Sequence, residues 1–351
     1  MNASKNWIRG IDSLRFVLAL IVVLHHLENP YAQALKNSSP LFGKYLGVFL
    51  ANLFNGPAAV IAFFVISGFV VHNPIKNKDY DIKKFLIRRW VRIGIPLIVV
   101  STVAYFYDNF VITTIWSLYC ELVYYTIYPI LRKIKGSWRL KFQISFAIYL
   151  IMLFIFCQND IKSLVLHKDL GYWGTYWQLG NYRSWIMGLP AWILGVLIAE
   201  KLTTENIKNA AVTFRQLVNY RMGAFTLSVV LEFLKFHSFV SDMIVLNFFA
   251  LLLFVWIQKE IYYYQNHAPN SQLEYGGKFS YSLYLVHGMC IKFILSFLAL
   301  NIYTYPIFLV LIVGLSYLTY LLVENPSHKL AQKLANGQWL MVNEKKLTIN
   351  H

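Results

Sequence analysis

Apolar stretches long enough to cross a bilayer recur along the whole chain, and basic residues collect in every second gap between them. At 1.5 Å per residue, about 20 residues cover roughly 30 Å of hydrocarbon. Such stretches fall near 10–28, 52–72, 88–107, 111–131, 140–157, 184–200, 222–236, 240–258, 279–299 and 304–323. Unpaired backbone is costly in lipid, so segments of this kind fold as helices. Of the 351 residues, 58% are hydrophobic and 14% charged, where a soluble domain carries about 25% charged residues. The expectation is an all-α, polytopic membrane bundle of ten helices over residues 1–327, followed by a short tail, 328–351. Glu232 and Lys235 interrupt the seventh stretch, which leaves nine spans as the alternative.

A net charge of +16 would suggest nucleic acid in a soluble protein. Here the cations set topology instead. The clusters Lys76–Arg89, Arg132–Lys141, Lys201–Arg221 and the tail lie on one side of a ten-span chain, which makes both termini cytoplasmic. Lys5 and Arg9 before an apolar run mimic a signal peptide, but no small-x-small cleavage site follows, so the run reads as a retained first span. Cys120, Cys157 and Cys290 show no disulfide or zinc-binding spacing, and no metal site is expected.

The first span, IDSLRFVLALIVVLHH, carries Asp12 and Arg15 at one end and His25 and His26 at the other. Ionisable side chains at membrane depth usually face a protein interior or wet cavity. Arg15 and His26, eleven apart, lie on one helix face with about 16 Å of rise between them, and Ala19 and Val22 share that face. This resembles a site reached from both sides. The structural alternative is a helix-start ion pair with interfacial histidines.

Other spans add polar groups. FFVISGF places Ser67 and Gly68 where they either pack helices closely or border a substrate. FLIRRWVRIGIP sets Arg88 and Arg92 on one face with Arg89 beside them, to clamp phosphates or to hold lipid head groups. Pro96 is expected to kink that helix. WSLYCELVYYTIYP aligns Ser117, Glu121, Tyr125 and Tyr128 after Trp116. Glu121 is suited to orient an imidazole, take a proton or pair with an arginine such as Arg15. In KFSYSLYLVHG, Ser280, Tyr284 and His287 share a face, where His287 is a catalytic candidate or a satisfied core histidine. The connection 158–183 holds GYWGTYWQLGNYR, either a sugar-stacking surface or an interfacial aromatic belt.

Taken in order, these segments resemble the acyltransferase-3 family of integral membrane acyltransferases: Ile11 to His26, Phe63 to Phe69, Phe85 to Pro96, Trp116 to Pro129, Ser280 to His287 and Glu324 to Pro326. Ser13, Leu122 and Val286 depart from its usual glycine, second acid and tryptophan. The resemblance implies transfer of a short acyl group, usually acetyl, from cytoplasmic acyl-CoA as co-substrate, with no permanently bound cofactor. The acceptor would be a hydroxyl of an outward-facing glycan or lipid-linked saccharide at a bacterial inner membrane. It implies His26 as the base, Glu121 orienting or supporting it, and Arg15 holding the donor or the helix pair. Arg88, Arg89, Arg92, Ser67 and Gly68 would bind acyl-CoA. Asp12, His25, Trp116, Ser117, Tyr125, Tyr284 and His287 stand as supporting or acceptor-side candidates. An acyl-His26 intermediate is the alternative route. The competing functional class is a polysaccharide or lipid-linked sugar transporter, opposed by the lack of an inverted repeat. The chain is expected to have no room for the hydrolase-like domain often fused in this family.

Overall fold

A computed structural model describes residues 8–38, 40–107, 112–171, 174–202 and 212–336. The described residues are helical, joined by turns, without a strand. In order they are α1 (Ile11–His26), α2 (Pro30–Lys36), α3 (Leu41–Ala51), α4 (Gly56–His72), α5 (Ile82–Tyr107), α6 (Ile112–Lys133), α7 (Trp138–Phe156) and α8 (Gln158–Leu166). A 3-10 turn at Tyr176–Leu179 precedes α9 (Asn181–Lys201), α10 (Phe214–His237), α11 (Asp242–Asn266), α12 (Ser271–Gly277), α13 (Ser280–Leu295) and α14 (Tyr305–Thr319). A π-helical turn, Tyr320–Glu324, leads into α15 (Asn325–Ala335).

Six of these segments are long and apolar enough to cross a bilayer: Leu41–His72, Trp138–Phe156, Tyr182–Lys201, Phe214–His237, Asp242–Asn266 and Tyr305–Ala335. α1 and α13 are apolar but shorter, and five Lys and Arg residues crowd the first half of α5. The stretch with Glu232 and Lys235 is an unbroken helix of 24 residues. The outer surface is apolar, with Ile98, Phe106, Phe154, Val310 and Leu322 all exposed, as lipid rather than water as solvent requires. The chain is a multi-pass membrane protein.

α4 and α9 form the tightest seam. A Cβ on Gly68 would lie 1.9 Å from the Trp192 carbonyl, and one on Gly195 would lie 1.8 Å from that of Val65. Only hydrogen fits there, and small residues at such crossings are how helices associate where no hydrophobic force separates protein from lipid. α1 packs against α4, α12 and α13, and its Ala19, Val22 and Val23 are buried.

The start of α1 is held from a distance. Gly10 adopts a left-handed conformation, φ 86°, and supplies no side-chain cap. Glu274 of α12 does so instead, accepting from Gly10 N at 2.8 Å, Ser13 N at 3.1 Å and Ser13 Oγ at 2.8 Å. A carboxylate at a helix N-terminus satisfies orphan N–H groups and complements the dipole. Ser13, a departure from the usual family glycine, thus has a defined partner.

Pro96 lies inside α5, which continues through it. Three residues before it, the Tyr281 hydroxyl donates to the Ile93 carbonyl at 2.9 Å, which ties α13 to this part of α5.

Candidate active site

Two cavities lie along the Arg15–His26 face. The first, about 80 Å³, is lined by Arg15 of α1, Ser67 of α4, Arg89 and Arg92 of α5, Ser117, Glu121 and Tyr125 of α6, and Tyr284 of α13. Three guanidinium groups therefore face one space. Arg15 is paired with Asp12 at 3.5 Å, and Arg89 lies 5.3 Å from the centre of the Tyr125 ring and 5.8 Å from that of Phe85. Arg88 does not join them: exposed, it donates to Asn336 Oδ1 at 2.9 Å. Of the FLIRRWVR cluster, the structure brings Arg89 and Arg92 to the cavity and turns Arg88 away.

Glu121 accepts from Ser67 Oγ at 2.7 Å and forms a short hydrogen bond with the Tyr125 hydroxyl. Trp192 Nε1 donates to Ser67 Oγ at 3.3 Å. So Ser67 belongs to the cavity, while Gly68, its neighbour, serves the seam with α9. A second acid approaches from the chain's other end. The π-helical turn carries Glu324, 1% exposed, which accepts from Ser282 N at 3.1 Å and Ser282 Oγ at 2.6 Å.

The second cavity, about 300 Å³, is lined by His25 and His26 of α1, Trp116 of α6, Thr175, Tyr176 and Trp177, Lys235 of α10, Asp242 of α11, and Tyr284 and His287 of α13. The ring of His26 lies 4.9 Å from that of His287 and 4.9 Å from that of His25. His26 also reaches a larger hollow of about 960 Å³, bordered by Glu28, Gln33, Lys292 and Tyr303. The side chain is exposed to these spaces rather than sealed.

The tautomers follow from the partners. His26 Nδ1 is 2.9 Å from the Val22 carbonyl, and His287 Nδ1 is 2.6 Å from that of Tyr284. A carbonyl oxygen only accepts, so each Nδ1 carries a proton, and in the neutral ring each Nε2 presents a lone pair. His287 Nε2 has no hydrogen-bond partner among the described residues. His25 Nδ1 donates to the Phe54 carbonyl at 2.9 Å and lies 3.2 Å from Glu232 Oε1.

Tyr284 and Val60 line both cavities. Tyr284 OH and Ser117 Oγ are 2.5 Å apart, so this pair forms the partition between them. Trp116 and Ser117, adjacent on α6, face opposite sides of it. Glu121 and His26 stand on opposite sides too, and among the described residues no hydrogen bond or ion pair joins them. The acids closest to the histidine chamber are Glu232 and Asp242. Reading the sequence for motifs missed both of these, together with Lys235 and Glu274. Charges inside an apolar stretch were the signal, but on α10 they read as an interruption of the span.

The 158–183 connection is fastened above the chamber. Asp160 Oδ1 accepts from Gly174 N at 3.0 Å and Ser241 Oγ at 2.5 Å. Asp242 N donates to the Gly174 carbonyl at 3.0 Å. Asn247 Nδ2 donates to the Tyr176 hydroxyl at 3.1 Å. These bonds set Thr175–Trp177 in the chamber wall. Residues 172 and 173 of the GYWGTYWQLGNYR motif lie outside the described residues.

Among the described residues no cluster of His, Cys, Asp and Glu has the makings of a metal site. The three cysteines are buried free thiols.

No solved structure matches the chain. Proteins of Staphylococcus aureus strains COL, MSSA476 and N315, each named "Putative O-acetyltransferase", are 25% identical to it. The alignments cover 93–94% of this chain. The chain spans 58–59% of the length of those relatives. A family described as an acyltransferase domain matches residues 8–321. With that match over nearly its full length, and with five of the six ordered motifs contributing to two adjoining cavities, the chain belongs to the acyltransferase-3 family.

Proposed function

We propose that this protein is a membrane O-acyltransferase that takes a short acyl group, acetyl first among them, from acyl-CoA on the cytoplasmic side. It delivers that group to a hydroxyl of an outward-facing glycan or lipid-linked saccharide in a bacterial inner membrane. The observation that carries the reading is the pair of cavities with one partition: guanidinium groups on one side, a lone-pair imidazole on the other, and Tyr284 touching both. The basic connections, on the side of the arginines, support a cytoplasmic donor.

In this mechanism Arg15, Arg89 and Arg92 hold donor phosphates through charge-assisted, bidentate hydrogen bonds. At about 80 Å³ the inner cavity falls short of the roughly 300–1,000 Å³ of small-molecule pockets. Donor entry therefore moves the Tyr284–Ser117 partition aside and carries the thioester toward His26. His26 Nε2 takes the proton of the acceptor hydroxyl as its oxygen attacks the thioester carbonyl carbon. The new C–O bond forms, the C–S bond breaks, and the imidazolium returns the proton to the departing thiolate, giving ester and free CoA. The Val22 carbonyl fixes the ring and its tautomer, a role carboxylates play in other acyl-transfer sites. Glu121 acts on the donor side, holding Ser67 and Tyr125 around the thioester arm.

The test is acyl transfer in membranes containing the protein. Labelled acetyl-CoA is expected to yield labelled surface glycan. His26→Ala at equal protein level is expected to abolish that product. Undiminished glycan labelling in His26→Ala would refute the assignment. Labelled protein that survives donor removal and is absent in His26→Ala would replace direct transfer by an acyl-histidine route.

A further inference from the structure

The histidine chamber carries a charged cluster that the transfer chemistry leaves unused. α10 brings Glu232 and Lys235, three apart and on one face, against Asp242 in the first turn of α11. Lys235 Nζ donates to Asp242 Oδ2 at 2.6 Å, and Glu232 Oε1 lies 3.2 Å from His25. Both acids are 1% exposed. Each pairing uses one carboxylate oxygen. Asp242 Oδ1 and Glu232 Oε2 are buried with no hydrogen-bond partner among the described residues.

A carboxylate oxygen shut away without a donor is an expensive group, so its presence asks for an occupant that brings one. Asp242 and Lys235 stand in the wall of the same chamber as His26, with Glu232 behind His25. Trp116, Tyr176 and Trp177 supply flat apolar faces beside them. Two acids against one lysine disfavour an occupant with its own carboxylate and suit one rich in O–H donors.

We propose that the chamber seats its acceptor as an uncharged polyol, and that Asp242 accepts a hydrogen bond from a hydroxyl other than the one acylated. Lys235 holds the carboxylate in place. A turn of the carboxylate about its terminal bond, where rotation is soft, brings Oδ1 to the ligand while the flexible Lys235 side chain follows Oδ2. This deepens the acyl-transfer reading and rests on it, because the occupant is that reaction's acceptor. Asp242 becomes a specificity-determining residue.

The experiment reads binding apart from catalysis. Tryptophan fluorescence of the purified full chain is titrated with oligosaccharides released from the cells' own surface glycan, with cyclohexanol as the single-hydroxyl control. The wild type is expected to show saturable quenching by the oligosaccharides, with Asp242→Asn weakening it about tenfold or more. Asp242→Glu is expected to restore part of the affinity, and cyclohexanol to bind wild type and Asp242→Asn alike. Lys235→Met, which keeps the carboxylate but frees it, serves as the second variant should Asp242→Asn fold poorly, and is expected to lose several-fold. Equal oligosaccharide affinity in wild type and both variants, or no saturable binding by the wild type, would overturn the proposal. Because no acyl donor is present, failure of acyl transfer itself registers separately, as normal binding without labelled product.

Discussion

The two cavities are built on opposite plans. Around the arginine cavity, the acids have donors and the cations have neighbours: Glu121 takes Ser67 and Tyr125, Glu324 takes Ser282, and Arg15 takes Asp12. Around the histidine chamber, buried acceptors are left over on Asp242, Glu232 and His287. A polar network that is closed on itself is rigid, whereas one with unfilled positions is completed by what binds. The first plan suits a donor whose phosphates never vary. The second suits recognition of an acceptor through whichever hydroxyls reach the open positions.

That contrast can be broken at either end. The largest effect is expected from His26→Ala, which removes the base and should lower acyl transfer by about 100-fold to 10,000-fold while leaving acyl-CoA binding intact. Loss of donor affinity as well, measured by calorimetry, would mean that the partition does not separate the two ends. Next comes Arg92→Ala, expected to raise the Michaelis constant for acyl-CoA about tenfold to 100-fold through lost charge-assisted bonds, with acceptor affinity unchanged. Arg92→Lys should recover only part of it, because a lysine is not bidentate. Gly195→Ala should spare neither cavity, because overpacking the α4–α9 seam costs about 1–3 kcal/mol. Its signature is earlier thermal inactivation in detergent, with donor and acceptor constants moving together. Glu274→Gln keeps the shape of the α1 cap and weakens its charge, worth about 1 kcal/mol. A modest drop in the unfolding midpoint is expected, with normal ligand constants at low temperature. The smallest effect belongs to Arg88→Ala. Its guanidinium leaves the cavity for Asn336, so donor affinity should stay within about 0.5 kcal/mol of wild type.

The arginine cavity was largely legible in the sequence. Its groups sit at helical spacings within single segments, Arg89 with Arg92 and Ser117 with Glu121 and Tyr125, so a helical period puts them on one face. That period could not tell which of the three arginines turns outward, since this depends on where α15 ends against α5. The spacing also suits Glu121 to support an imidazole, whereas the fold gives it Ser67 and Tyr125 as partners. The histidine chamber was only half legible. His26, Trp116 and His287 stood in recognisable motifs, but Asp242 and Lys235 came from segments with no motif. A charge in an apolar run says only that it faces protein, not which cavity receives it. The Glu274 cap joins residues 264 and 261 positions apart, and no local pattern encodes such a bond.

That distant cap has a consequence for the reaction. α1 is a gauge, with a guanidinium at one mark and an imidazole eleven residues further on, and Glu274 fixes its zero against α12. Inserting one residue after Val22 would swing the imidazole by about 100° and shift it about 1.5 Å, while every group at the arginine end kept its position. The separation between the guanidinium and the imidazole is thus a property of one helix and the clasp at its foot.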